Sequence, residues 1–507
     1  MRLWPLACLT MIFAQNAHGQ DLDLSSFGIS DLLKRQAEDS LSCVQIASAV
    51  TARIGALDER LKVFITVNPK LAETARALDA ARVSGAPLGP LHCVPLAVKD
   101  NFNTFDMPTS GGSVLLRDSR PSEDSFAVAR LRAAGALIIG KTNLDELAVA
   151  GSTISSIRGQ TLNPYDQSRF AAGSSGGSAV AVSTGIATVA IGTETVNSLR
   201  NAANSAGVVA IRPTRGLVSR TGVIPLSTTM DVVGSFGRTV ADAAILLRVL
   251  SGRDPLDPWT TSVEAIRSDS FGKVVPAELR GKRIGVLRNL FGRSPEHAPV
   301  NAVMADALKR LRSAGAEIVD IDDTRFDSEK SYEDLNVNNY EFKPLFERYL
   351  AQLGPKAPIK TVREYVDADK YPPTMRSYLA NAVKWQAPLE MQEYLQKLAA
   401  IADMRKFVLD LFESKKLDVL AYPMQKRASL RLTDTPRPER NGIFASALGF
   451  PAIDLPAGMT APDATAPDGV PVGIDLIGRP FDDEALQAIA AGFERVIAGR
   501  RPPRVGP

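Results

Sequence analysis

The sequence predicts an α/β fold, a mixed or parallel β-sheet covered by helices. Three observations carry that expectation. Short apolar runs suited to strands alternate with segments of helical period from about residue 42 to the C-terminal region. Residues 166–222 change to small side chains yet keep much Val, Ala and Ile, the texture of closely packed backbone rather than of a flexible linker. The composition, 45% hydrophobic and 23% charged, is that of a chain able to bury a large core. With 59 basic against 56 acidic residues the net charge is only +3, which excludes nucleic-acid or membrane-surface binding driven by bulk charge.

Taken in order, residues 1–19 have the form of a secretory signal peptide. Met1-Arg2 is followed by an apolar stretch from Leu3 to Ala14 and by Ala17-His18-Gly19, with small residues where a signal peptidase reads. The apolar run is shorter than the roughly 20 residues a bilayer needs, so no membrane span is expected. A secreted or periplasmic protein of residues 20–507, one domain, follows. Its core is expected at 40–255 and 420–500, with a mainly helical insertion or lid at about 325–415. Of three cysteines, Cys8 would leave with the leader. Cys43 falls in a helical pattern and Cys93 in an apolar strand, so two buried free thiols are expected rather than a disulfide. No spacing suggests a zinc site.

Ser42-Cys43-Val44-Gln45 is a capping box, and Cys43, Ile46, Ala47, Val50 and Ile54 form the apolar face of the helix it starts. Leu61 to Val67 reads as a strand and Leu71 to Val83 as a helix. Cys93 to Val98 reads as a buried strand ending at Lys99-Asp100. A helix from Phe126 to Ala134 is stopped by Gly135 before the strand Ala136 to Ile139. A further unit begins near 283, with Arg283 to Leu287 as strand, a helix around Val303 to Leu311, and Glu317 to Ile321 as strand. The tail returns to α/β character around 449–453 and 471–478.

Ser/His/Asp hydrolysis needs a base histidine beside a nucleophile. After His18, only His92 and His297 remain, neither beside a Gly-x-Ser-x-Gly elbow. The run Gly173-Ser174-Ser175-Gly176-Gly177 lacks the Gly-Lys-Ser/Thr ending of a phosphate-binding loop. Serine chemistry with a neutral lysine as base remains. Lys99, at the end of an apolar strand, is the lysine placed for it.

Four stretches carry a resemblance to a known family: Gly89 to Asp100, Gly140 to Glu146, Gly173 to Ser178 and Gly192 to Arg200. With elements around 449–458 and 471–484, they make the chain, from about 40 to 500, resemble the amidase signature hydrolases. That resemblance implies a twisted mixed sheet covered by helices on both faces. It also implies a Ser-cisSer-Lys triad, with Ser198 as nucleophile, Ser174 as bridging serine after a cis peptide and Lys99 as base. Backbone N–H groups of Thr195, Val196, Asn197 and Ser198 would hold the oxyanion of an acyl-enzyme reaction, with no metal or cofactor. The substrate would be a small-molecule or peptide amide, and ammonia or an amine the product.

Asp145 and Glu146 are expected to close the loop after Ile139, and Arg200 to anchor the nucleophile loop by ion pairing. The family usually has two small residues, most often Gly-Gly, before the nucleophile, where this chain has Val196-Asn197; Ala202 and Arg212 stand where Pro and Lys are usual. A positive φ is therefore expected at Asn197, the alternative being that its side chain recognises substrate. The stretch Asn339 to Lys343, with Tyr349-Leu350 and Thr361-Val362, resembles the insertion of peptide-amidase-like members. Two other functions fit the same resemblance, a glutaminase-type subunit of a tRNA-dependent amidotransferase and a non-catalytic binding protein.

Overall fold

The computed structural model describes residues 22–261, 271–434 and 439–506; the expected leader, residues 1–19, lies outside them. Eleven strands form one mixed sheet. In chain order the strands are β1 (Phe64–Val67), β2 (Pro95–Lys99), β3 (Leu137–Thr142), a small hairpin of β4 (Ile154–Ser155) and β5 (Gly159–Gln160), β6 (Val189–Glu194), β7 (Val209–Arg212), β8 (Val232–Gly237), β9 (Arg283–Leu287), β10 (Glu317–Ile321), β11 (Val419–Pro423), β12 (Ala452–Met459) and β13 (Pro471–Ile477). Their order across the large sheet is β1-β3-β2-β6-β8-β7-β12-β13-β11-β9-β10. Strands β3, β2 and β6 run parallel, β6 through β11 pair antiparallel, and β11, β9 and β10 are parallel again. β2 and β6 are wholly buried, as parallel strands covered on two faces must be.

The capping box forms as the sequence predicts. Ser42 Oγ accepts from Gln45 N–H at 3.1 Å, Gln45 Oε1 accepts from Ser42 N–H at 2.8 Å, and the helix runs Cys43–Leu61. The helix expected at 303–311 is longer, Ala298–Ser313, because Pro299 suits its first turn and starts it earlier. β3 extends three residues beyond the expected strand, through Gly140, Lys141 and Thr142.

Two expectations about the cysteines are corrected. Cys93 is not in a strand: it stands at φ +55° in a turn, and β2 begins only at Pro95. That turn brings Cys93 to Cys43 at the start of the helix, Cα to Cα 5.4 Å, and the two are joined by a disulfide instead of remaining free thiols.

Between residues 328 and 414 lie the helices Ser328–Leu335, Asn338–Gln352, Val362–Asp367, Arg376–Lys384 and Gln392–Ser414. Phe342, Phe346 and Tyr365 from this segment share a core with Leu147, Ile224 and Leu226 from the loops above β3 and before β8. Among the described residues no helix is long and apolar enough to cross a membrane.

Candidate active site

Because β2 and β6 are parallel neighbours, paired Leu96↔Val189 through Val98↔Ile191, their C-terminal ends emerge on one edge. Lys99 ends β2; Thr193 and Glu194 end β6. Two loops meet at that edge. One runs from Gly173 to Ser175 into the buried helix Gly176–Ser183, and the other from Thr195 to Leu199 into the helix Arg200–Ala206.

Lys99 Nζ lies 2.8 Å from Ser174 Oγ, 2.8 Å from Thr193 Oγ1 and 3.4 Å from Thr193 O. Asn101 Nδ2 donates to the same Thr193 hydroxyl at 2.9 Å. The lysine is fully buried, and burial pushes its pKa down to about 7, although the carboxylates of Asp145, Asp231 and Glu194 act the other way. A neutral amine has two hydrogens and one lone pair. With its hydrogens on Thr193 O and Oγ1, the lone pair of Lys99 faces the hydroxyl of Ser174, the arrangement of a base.

The Gly173–Ser174 peptide is cis. A Cβ at Gly173 would lie 2.4 Å from Asp145 Oδ2, so glycine is required by this approach. Asp145 N–H in turn donates to Ser174 O at 3.2 Å, while Asp145 Oδ1 accepts from Ile154 N–H and Ser152 Oγ, both at 3.3 Å. Glu146 accepts from Ser156 N–H at 2.8 Å and from the Tyr365 hydroxyl. Both acids hold loops, as the sequence suggested.

Ser198 is buried beside this group. Its carbonyl accepts from Ser175 N–H at 3.1 Å, which ties the two loops together, and its hydroxyl makes no hydrogen bond to a described residue. Among the described residues no protein acceptor faces the N–H groups of Val196, Asn197 or Ser198. Unclaimed donors on three successive residues form a concavity for a negative oxygen. Thr195 contributes differently, its hydroxyl donating to Asp231 Oδ1 at 2.6 Å.

The loop is held from below by buried charge. Glu194 accepts from the N–H groups of Leu199 at 3.0 Å and Arg200 at 3.2 Å, and from Arg200 Nε at 3.0 Å. Arg200 also bonds Asp475 and donates to Gly442 O at 2.8 Å. Arg212 reaches Glu194 Oε1 at 3.3 Å. Arg200 thus anchors the loop by ion pairing, as expected.

Asn197 departs from expectation: it is not among the residues with positive φ. Its carbonyl accepts from Asn201 N–H at 2.8 Å, the first hydrogen bond of the following helix, so it takes the backbone of a helix entry. The glycine that makes room is across the site. A Cβ at Gly442 would lie 2.6 Å from Asn197 Cβ and 3.0 Å from Val196 O.

A cavity of about 450 Å³ opens above this group. Asn101, Thr193 and Thr195 line its floor, and Leu345, Tyr349 and Gln352, on one face of the helix Asn338–Gln352, line its roof. Glu341 of the same helix accepts from Thr229 N–H at 3.1 Å and Tyr394 Oη at 2.9 Å, latching the helix to the loop that carries Asp231. Thr193 stands inside the Gly192 to Arg200 stretch and Asn101 two positions after Lys99, so both could have been found from their neighbours. Asp231 carried no such signal.

A sequence profile described as Amidase matches residues 45–486. In three dimensions the chain is similar to the native peptide amidase of Stenotrophomonas maltophilia, 34% identical, with a TM-score of 0.84 over 95% of this chain and 99% of that one. It is also similar to a subunit of the glutamyl-tRNA(Gln) amidotransferase of Thermotoga maritima, at 25% identity and a TM-score of 0.74 over 96% and 99% of the two chains. The same subunit from Synechococcus sp. (strain JA-2-3B'a(2-13)) is 33% identical over 483 residues, 91% of each chain.

Proposed function

The chain belongs to the amidase family, and on that premise we propose that this amide hydrolase cleaves a linear carboxamide through Ser198, Ser174 and Lys99. The observation that carries the reading is the fully buried Lys99, its pKa lowered to about 7 and its amine 2.8 Å from Ser174 Oγ. Lys99 takes the proton of Ser174 as Ser174 takes that of Ser198. The Ser198 oxygen bonds the carbonyl carbon, and the charge that develops on the carbonyl oxygen meets the N–H groups of the Thr195–Ser198 loop. Returning along the same path, the proton is delivered to the amide nitrogen, the C–N bond breaks, and ammonia or an amine leaves. Water then attacks the acyl-enzyme under the same base and releases the acid and Ser198.

Within the family, the reading is a hydrolase of small or peptide amides acting without a metal or cofactor. Its support is the closer superposition on a peptide amidase than on an amidotransferase subunit, TM-scores 0.84 and 0.74. Export is part of the proposal, supported by the form of residues 1–19 and by a disulfide between Cys43 and Cys93, a bond of oxidising compartments. The alternative, a glutaminase-type subunit that works with partners, is favoured by the 33% identity to amidotransferase subunits.

Purified protein incubated alone with C-terminally amidated peptides, simple carboxamides and glutamine decides between these. Ammonia from the peptide amides or carboxamides, lost in Ser198→Ala, is expected; turnover of glutamine alone, or normal turnover in Ser198→Ala, would overturn the reading. Intact mass of the exported protein should show a start near Gln20, and retention of Met1 to Gly19 would overturn export.

A further inference from the structure

A second cavity, of about 490 Å³, lies outside the triad. It is lined by Thr214 and Arg215 from the loop after β7, Trp259, Arg405 from the long helix Gln392–Ser414, Gly449 and Phe481. Each arginine is packed on an aromatic ring: Arg215 over Trp259 at 4.2 Å and Arg405 over Phe450 at 4.8 Å. Each gives one nitrogen to a backbone carbonyl, Arg215 to Thr229 O and Arg405 to Leu448 O. Among the described residues neither forms an ion pair, and Arg215 Nε is buried without a partner.

The carboxylates nearby are already committed. Glu341, which acts on Arg215 from a distance, is held by Ser227, Thr229 and Tyr394, and Asp483 accepts from Thr214 N–H at 2.9 Å and from its hydroxyl. Burial pushes Arg215 down to about 10, helped by the positive charges of Arg212, Arg405 and Arg220. Two partly desolvated guanidinium groups facing one cavity repel each other, and each keeps donors in a planar fork suited to two oxygens of one anion. At the mouth, Trp259 and Phe481 are 43% and 47% exposed. Phe481 holds φ +64°, a conformation that a bulky residue rarely adopts, and its N–H is fixed to Thr214 Oγ1 at 2.9 Å.

We propose that this cavity is a binding site for an organic anion, with Arg215 and Arg405 receiving a carboxylate or phosphate group and Trp259 and Phe481 flanking a flat apolar body. The site adjoins the cavity above the triad, with which it shares Trp259, but Lys99, Ser174 and Ser198 do not line it, and it needs no change in the reading of that centre. Oxygens of the anion take the guanidinium donors that the protein leaves unused, and the aromatic faces select an anion with a ring over a bare inorganic ion.

Isothermal titration calorimetry with benzoate, phenyl phosphate and the neutral benzyl alcohol tests it. Either anion is expected to bind while the alcohol does not, and the tighter of the two identifies whether carboxylate or phosphate is the natural group. Arg405→Gln should weaken the anion at least about tenfold and Arg405→Lys less than Arg405→Gln, with binding that also weakens as salt is raised. Because Arg405 lines this cavity and not that above the triad, a benzoate site at the hydrolytic centre would survive Arg405→Gln unchanged. Should Arg405→Gln fail to fold, the salt dependence and the alcohol control on the native protein decide. Equal binding of the alcohol, unchanged binding in folded Arg405→Gln, salt-independent affinity, or no heat with either anion would overturn the proposal.

Discussion

In the proposed reaction Lys99 must be neutral to act, and its burial makes it so near neutral pH. Below its pKa of about 7 the amine is protonated and has no lone pair for Ser174. The pH profile of kcat/KM is therefore expected to rise through about pH 7 and level off above it, and Lys99→Ala to abolish hydrolysis with the fold retained, checked by circular dichroism. A profile flat from pH 5 to 9 would contradict this. Gly442 bears on the proposed oxyanion loop through space alone, since a methyl group there would press on Asn197 Cβ and Val196 O. Gly442→Ala is expected to displace the N–H groups of that loop and cost about 2.7–4 kcal/mol in kcat, the range for loss of one oxyanion donor. Native kcat in that variant would show that the loop tolerates the shift.

At the scale of elements, the pairing of β12 with β13 sets Asp454 directly opposite Asp475 beneath the nucleophile loop. Both oxygens of Asp454 and Oδ1 of Asp475 are buried without a hydrogen-bond partner. Burial raises both carboxyls, Asp454 further through the charge of Asp475, and Asp475 to about 6 against the pull of Arg200. Protonation removes the charge that burial penalises and gives the carboxyl an O–H donor. Because the folded-state pKa exceeds the unfolded value of 3.8, this protonation stabilises the fold at low pH and the contribution is lost as pH rises through about 4 to 6 and beyond. Asp454→Asn removes one ionisable group of the pair and supplies a permanent N–H donor. It is expected to raise stability at pH 8 by about 1–3 kcal/mol and to be nearly neutral at pH 4. Denaturant melts at the two pH values check it, and a destabilised variant at pH 8 would mean that Asp454 is needed as the anion.

For the whole molecule, the Cys43–Cys93 bond ties the first long helix to the turn that enters β2, the strand that ends in Lys99. Closing a loop of sequence separation 50 is worth about 4 kcal/mol in the chain-entropy model. Cys43→Ser with Cys93→Ser is expected to lower Tm measurably while leaving the triad geometry, and hence kcat near 25 °C, close to native. Free thiols found on the native protein by alkylation and mass spectrometry would remove the basis of this expectation. The segment from 328 to 414 stands at the opposite extreme of separation. Its roof over the cavity depends on Glu341 reaching Thr229, more than a hundred residues earlier in the chain.

By itself, the sequence determined what local pattern can encode. The capping box at Ser42, the strand that ends at Lys99, and the small-residue loops around Ser174 and Ser198 are each written within a few neighbouring residues, because their causes are caps, period and close backbone packing. Tertiary structure alone decided the features that join distant segments. The disulfide depends on a left-handed turn at Cys93 that the apolar run around it conceals. The room for Asn197 comes from Gly442, so its own backbone needs no positive φ. Asp231 and the opposed Asp454 and Asp475 gain their environments from strand order, which the chain reaches only by folding. A pKa shift follows the same rule: burial sets that of Lys99, and burial is a property of everything packed around a residue rather than of its place in the chain.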